Sequence, residues 1–235
     1  MTVAELKKKL LTEKKHDLRS AEELMRVLRS DEGCPWDREQ DHHSIRTEFI
    51  EETYEAVEAI DTDNADLLRE ELGDVLFQVL FHTEIEREAG RFTLDDVADG
   101  LVSKMIYRHP HVFGTTEVSG SGEVLENWEI LKTKEKSRDT LRQTLEAVPK
   151  QYPALLRAKK IAKKAKKGGF GFGTEEEQAE EILALARGIG QTEGAERNAL
   201  LVRLIWQAVV LAGEDADTEK DLGDLLDRFI GQFEE

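Results

Sequence analysis

Two pairs of carboxylates carry the chemistry that this sequence suggests. Glu52 and Glu55 stand three apart in the run Glu48-Phe-Ile-Glu-Glu-Thr-Tyr-Glu55, and Glu71 and Asp74 stand three apart in Glu70-Glu-Leu-Gly-Asp74. On a helix, that spacing puts both members of a pair on one face. Four carboxylates without a His or Cys partner suit a hard cation, Mg²⁺ or Mn²⁺, rather than zinc. Solvated acidic faces would account for Glu51 and Glu58. They account badly for Glu71 and Asp74, which with Gln78 form a polar stripe among Leu67, Leu72, Val75, Leu76, Phe77 and Leu80. A helix apolar nearly all round is expected to be buried, and a buried carboxylate stays ionised only when paired or bound to a metal.

The elements that must hold these pairs are two helices. In the first, Ile45, Phe49, Ala56 and Ile60 are expected to face the core, with Glu48, Glu52 and Glu55 on one stripe beside it. The turn Asp61-Thr-Asp-Asn64 predicts that the second helix runs antiparallel, so that the pairs face each other across a cleft.

The 235 residues carry a formal net charge of −17 and are 39% hydrophobic and 35% charged, enough for one or two globular domains. So acidic a chain disfavours nonspecific contact with nucleic acid or an anionic membrane, and a polyanionic substrate is expected to arrive with a divalent cation. The lone Cys34 excludes an internal disulfide and fits a reducing compartment. With no long apolar run for a signal peptide or membrane span, a cytoplasmic protein is expected.

Residues 1–19 are basic and weakly patterned, an appended arm or the start of a helix. Ser20 and Glu23 predict the start of a helix over 20–29. Pro35 then predicts extended backbone, leaving Trp36 in a loop as a core plug or as an aromatic plate for a flat ligand. After the carboxylate helices, Gly90 marks a helix end. Thr93 and Asp96 predict a capped helix with Leu94, Val97, Leu101 and Met105 inward. Lys104 and Arg108, four apart on that helix, could meet phosphate or form an ordinary solvated face. Pro110 ends the helix, 114–123 reads as a loop, and a helix is expected from about 124 to 137. Residues 138–153 look like a connector. A lysine-rich helix follows, then the hinge Gly168–Gly173, a helix capped by Thr174 and Glu177, and helices near 196–213 and 218–233. No segment reads as a strand, so the expected fold class is all-α.

Together these residues resemble the MazG family of nucleoside triphosphate pyrophosphohydrolases. The likeness covers most of residues 20–136: Gly33-Cys-Pro-Trp-Asp37, both carboxylate pairs in order, Arg108-His-Pro-His-Val-Phe113 and Trp128-Glu-Ile-Leu-Lys-Thr133. The resemblance implies an all-α helical bundle that splits nucleoside triphosphates to monophosphate and pyrophosphate with Mg²⁺, commonly as a homodimer. Some members favour noncanonical nucleotides. It implies Glu52, Glu55, Glu71 and Asp74 as metal ligands and catalytic residues, Lys104, Arg108 and Lys132 as phosphate contacts, and Trp36 and Trp128 as base contacts. It further implies tandem modules: a catalytic domain over 1–137, a linker over 138–153 and a diverged second module over 154–235. In a gapless alignment of that second module, Glu181 stands for the first ligand, while Ala184, Leu200 and Arg203 replace the others; in a shifted alignment, Asp221 and Asp224 would stand as a displaced pair. Two other classes compete. A carboxylate-bridged di-iron bundle would want Glu-x-x-His pairs, which neither pair supplies. A noncatalytic acidic helical adaptor would show no Mg²⁺-dependent hydrolysis.

Overall fold

A computed structural model describes residues 1–135 and 140–233, apart from the side chain of Thr133; the end of the helix expected to reach 137 and the first residues of the 138–153 connector lie outside the described residues. Among the described residues every regular element is helical. The chain divides into two compact units, Met1–Val124 and Leu125–Glu235.

The first unit begins with α1 (Val3–Thr12), a helix with a capping box between Thr2 and Glu5, which decides between the arm and the helix start that the sequence left open. It packs on α2 (Leu18–Leu28) and buries Leu6. Asp17, not Ser20, caps α2: its carboxylate accepts from the Ser20 amide at 2.9 Å. The expected loop at Trp36 is instead a short helix, α3 (Pro35–Glu39), with Pro35 in the first turn, where the missing N–H costs nothing. The chain can turn there because Gly33 lacks a side chain. A Cβ on it would lie 2.2 Å from the carbonyl oxygens of Val27 and Leu28.

The carboxylates lie on α4 (Arg46–Asp61) and α5 (Ala65–Glu88), which pack along each other. Their connection closes α4 tightly. The Asn64 amide donates to Ala59 O at 2.9 Å and the Asp63 amide to Ile60 O at 3.1 Å, with Asp63 at φ +50°. This pattern satisfies the last carbonyls of the helix, and aspartate tolerates the left-handed position better than most residues. Asn64 then caps α5. The same closure ends α5, with Gly90 at φ +67° one residue beyond the cap residue Ala89.

Met25, Ile45, Leu80 and Phe81 form the core of this unit. Ala59 is fully buried, whereas Ile60, expected in the core, is exposed. Nor is α5 buried all round. Leu72 and Leu76 are exposed, as are Ile50, Tyr54 and Val57 on α4. On α6 (Leu94–Arg108), capped as expected by Thr93 and Asp96, Val97 and Leu101 are also exposed. Among the described residues, the first unit does not cover this apolar surface.

A polar cluster ties the segment before α4 to α5. His42 Nδ1 lies 2.7 Å from His82 Nδ1 with the rings stacked, and His42 Nε2 meets Glu86. Arg91 also grips Glu86; mainly through that guanidinium, the Glu86 carboxyl is held down at about 2. Burial lowers the His82 pKa, and the neighbouring His42 adds to this.

α7 (Pro110–Phe113) follows directly on α6, and α8 (Ser121–Glu135) begins three residues earlier than expected. In the second unit, part of the expected connector folds as α9 (Leu141–Glu146), capped by Thr140 and Gln143, and Val148 behind it is buried. α10 (Ala154–Lys167) packs against α9, α12 (Gly194–Ala212) and α13 (Thr218–Ile230). α11 (Glu175–Ile189), capped as expected by Thr174 and Glu177, pairs along α12 much as α4 pairs along α5.

The Gly33 contact gives a test. Gly33→Ala should destabilise the chain by ~1–3 kcal/mol, because backbone rather than a flexible side chain must move. Urea unfolding checks this; an unchanged midpoint would show that the turn relaxes freely.

Candidate active site

The α4–α5 pair brings carboxylates together that the sequence separates by up to 19 positions. One oxygen each of Glu52, Glu55 and Glu71 lies within 4.8 Å of the other two. Glu71 is buried, Glu52 half-buried and Glu55 exposed at the open side. Asp74 lies outside this closest set and is exposed, yet its charge bears on both Glu52 and Glu71.

The electrostatics follow from that crowding. Burial, then the charges of Asp74, Glu55 and Glu51, raise the pKa of Glu52; an amide contact from Gln78 offsets part of the rise. Burial, then the charges of Glu55 and Asp74, raise that of Glu71. Like charges in a poorly solvated space resist joint ionisation. Two further oxygens, Glu48 Oε2 and Gln78 Oε1, are buried without a hydrogen-bond partner among the described residues. Unsatisfied buried acceptors are rare and costly. Here they flank the carboxylates at helical spacing: Glu48 is one turn before Glu52, and Gln78 is one turn after Asp74. A donor set of this kind, all oxygen and partly unsatisfied, fits a hard divalent cation.

The other expected residues are placed as follows. Lys104 is half-buried and Arg108 buried on one face of α6, with Arg108 in the last turn, where the helix dipole favours a cation. Trp36 is exposed on α3 in the first unit. Trp128 and Lys132 are half-buried on α8 and belong to the second unit, where Lys132 Nζ lies 3.7 Å from Glu129 Oε1. Sequence reading placed Glu48 and Gln78 near the site but had no signal that their oxygens lack partners, a matter of tertiary packing.

An all-helical protein whose central hairpin gathers acidic oxygens defines a class, and comparison with known proteins identifies which. The MazG nucleotide pyrophosphohydrolase domain is matched over residues 40–113. That span contains both carboxylate pairs, Lys104 and Arg108, but not Trp36, Trp128 or Lys132. A nucleoside triphosphate pyrophosphohydrolase of Escherichia coli K12 is 37% identical over 211 residues, which cover 86% of this chain and 72% of the relative. The pyrophosphohydrolase/pyrophosphatase MazG of Thermotoga maritima is 45% identical over 159 residues, covering 68% of this chain and 60% of the relative. An uncharacterized Bacillus subtilis protein, YabN, is 47% identical over 148 residues, covering 63% of this chain but 30% of that longer protein. The chain belongs to the MazG nucleotide pyrophosphohydrolase family.

The raised carboxylates make stability depend on pH and metal. A carboxylate with a raised folded pKa binds its proton more tightly folded than unfolded. Its ionisation therefore costs stability as pH rises from the unfolded value through the folded one, and the cost is full above both. In EDTA at pH 8, Glu71→Gln should melt above the parent chain, and that advantage should vanish below pH 4.5. Mg²⁺ should raise the parent's melting temperature and leave the variant's nearly unchanged. Equal responses of the two to Mg²⁺ would remove Glu71 from the site.

Proposed function

We propose that this chain hydrolyses nucleoside triphosphates to nucleoside monophosphate and pyrophosphate at the α4–α5 carboxylates, with Mg²⁺ (or Mn²⁺) bound there. The observation that carries the reading is the approach of Glu52, Glu55 and Glu71 to within 4.8 Å, with the pKa values of Glu52 and Glu71 raised and the unsatisfied oxygens of Glu48 and Gln78 beside them. Family membership and the activity named for the Escherichia coli and Thermotoga maritima relatives support it.

Glu52, Glu55, Glu71 and Asp74 would hold the metal. When bound, it supplies charge neutralisation for the triphosphate and lowers the pKa of water. The residues of the chain divide the remaining work. Buried Glu71 and the Gln78 amide keep the centre rigid and short of water. Glu48 and Glu52 are the candidates to take a proton from water attacking the α-phosphorus, since each carries an oxygen on the inner stripe of α4. Lys104 and Arg108 would hold phosphate oxygens. Trp36 and Trp128 would offer ring faces to the base. Noncanonical nucleotides are included among the expected substrates, and the chain is expected to act in the cytoplasm; none of the described helices is long and apolar enough to cross a membrane.

In the same reading, the chain is a catalytic module over 1–137, a connector over 138–153 and a second module over 154–235 that has lost its site. The replacement residue Arg203 on α12 donates to Glu181 on α11 at 3.1 Å. A guanidinium thus takes the charge-balancing place that a cation would have between facing carboxylates. This half would serve folding or assembly.

Hydrolysis in ¹⁸O-labelled water should put the label in the nucleoside monophosphate and release pyrophosphate. Glu71→Gln or Asp74→Asn should lower turnover at least a hundredfold, while Glu181→Ala with Arg203→Ala should leave it within twofold. Orthophosphate and diphosphate as first products, or equal losses in both sets, would overturn the assignment.

The exposed apolar residues on α4 and α5 support a homodimer formed over that face, since the described residues of the first unit leave Ile50, Tyr54, Val57, Leu72 and Leu76 uncovered. Light scattering should give twice the chain mass, and Leu72→Glu with Leu76→Glu should give one chain mass. A monomeric parent chain would rule the dimer out.

A further inference from the structure

The second unit holds a feature that the proposed reaction does not require. An open groove of about 340 Å³ runs along α10 and is lined by Lys159, Lys160, Lys163, Lys164 and Lys167, with Lys132 from α8 opposite. Every lining residue belongs to that unit. Among the described residues, Glu129, Glu214 and Asp217 are the acidic residues of its wall, so six lysines against three carboxylates leave a surplus of three positive charges there.

That surplus sits in a chain with 50 acidic and 33 basic residues. Carboxylates to neutralise it are abundant, yet among the described residues no ion pair holds Lys159, Lys160 or Lys167. Lys163 reaches Glu214 at 3.0 Å and Lys132 reaches Glu129 at 3.7 Å, while the Lys160 ammonium lies 5.6 Å from the centre of the Tyr152 ring. The dipole of α10 accounts for cations in its last turn, Lys164 and Lys167. It does not account for Lys159, Lys160 and Lys163 further up. Lys159, Lys163 and Lys167 follow each other at steps of four, as do Lys160 and Lys164. Like charges at that spacing destabilise a helix unless an anion lies between them. Each ammonium offers three donors to phosphate oxygens.

We infer that the α10 groove, with Lys132 facing it, binds a compact polyphosphate anion: inorganic pyrophosphate or the polyphosphate tail of a nucleotide. Lys159 to Lys167 span about 12 Å of helix, room for two or three linked phosphates. The three wall carboxylates disfavour a long polyanion such as nucleic acid, which would have to pass over them. A surplus of three charges matches the three to four negative charges of a pyrophosphoryl group.

The test is binding by full-length protein in EDTA. Without metal, the crowded carboxylates of the first unit repel polyanions, so the measurement reads the groove whether or not the proposed hydrolysis is correct. Calorimetric titration at low salt should show saturable binding of inorganic pyrophosphate, at least tenfold tighter than orthophosphate. Lys159→Gln with Lys167→Gln should weaken it at least tenfold. Lys14→Gln with Lys15→Gln, the same change in net charge, should stay within twofold. A nonhydrolysable α,β-methylene nucleoside triphosphate distinguishes the two sources: tighter binding than pyrophosphate assigns the groove to the nucleotide tail, and equal or weaker binding assigns it to free pyrophosphate. No saturable binding, no preference over orthophosphate, equal loss in both double variants, or tighter binding of a 20-nucleotide single strand would overturn the inference.

Discussion

The structure depends on a repulsion that it must hold in place. Three carboxylate oxygens from two helices come within 4.8 Å, one of them on a buried residue. Left to themselves, these groups would part or take up protons. The α4–α5 packing opposes the first, and the raised pKa values of Glu52 and Glu71 express a tendency toward the second. Much of the first unit serves this constraint. The tight closure at Asp63 sets the register of α4 on α5. Ala59 and Ala56 on α4 have side chains small enough to be buried at close approach. The His42–His82–Glu86–Arg91 cluster pins the entry to α4 against the far half of α5.

The second unit also holds a helix pair, without a cluster of carboxylates among its described residues. α11 and α12 pair as α4 and α5 do, but across them Arg203 meets Glu181 directly. An exposed ion pair contributes little stability. Stability of that hairpin must come from apolar contact, with Leu185 and Val209 buried along it.

Much of the fold was legible because its signals are local. Helix ends at Thr93, Thr174 and Asn64 follow from side chains that reach their own backbone three residues on. The run of apolar residues on α5 misled in one respect. Periodicity reports that a face is apolar, not whether this chain or another molecule covers it, so Leu72 and Leu76 stand exposed where burial was expected. Pro35 misled similarly: a proline that breaks one helix can open the next, and a five-residue helix is too short for periodicity to reveal.

The candidate site divides along the same line. Residue types and three-residue spacing on single helices were enough to nominate Glu52, Glu55, Glu71 and Asp74, since a helix fixes which side chains share a face. Which of them meet was a tertiary matter. The packing angle and register of two helices draw Glu71 into the closest set and leave Asp74 at its edge, and they bury Glu48 Oε2 and Gln78 Oε1 without partners. The lysine groove has the same origin. The run of lysines on α10 is visible in the sequence, but that Lys132 of α8 lines the same groove is decided by how the two helices are placed. Spacing along one helix is set by its 3.6-residue turn, whereas distances between helices are set by how side chains far apart in the chain fill space together.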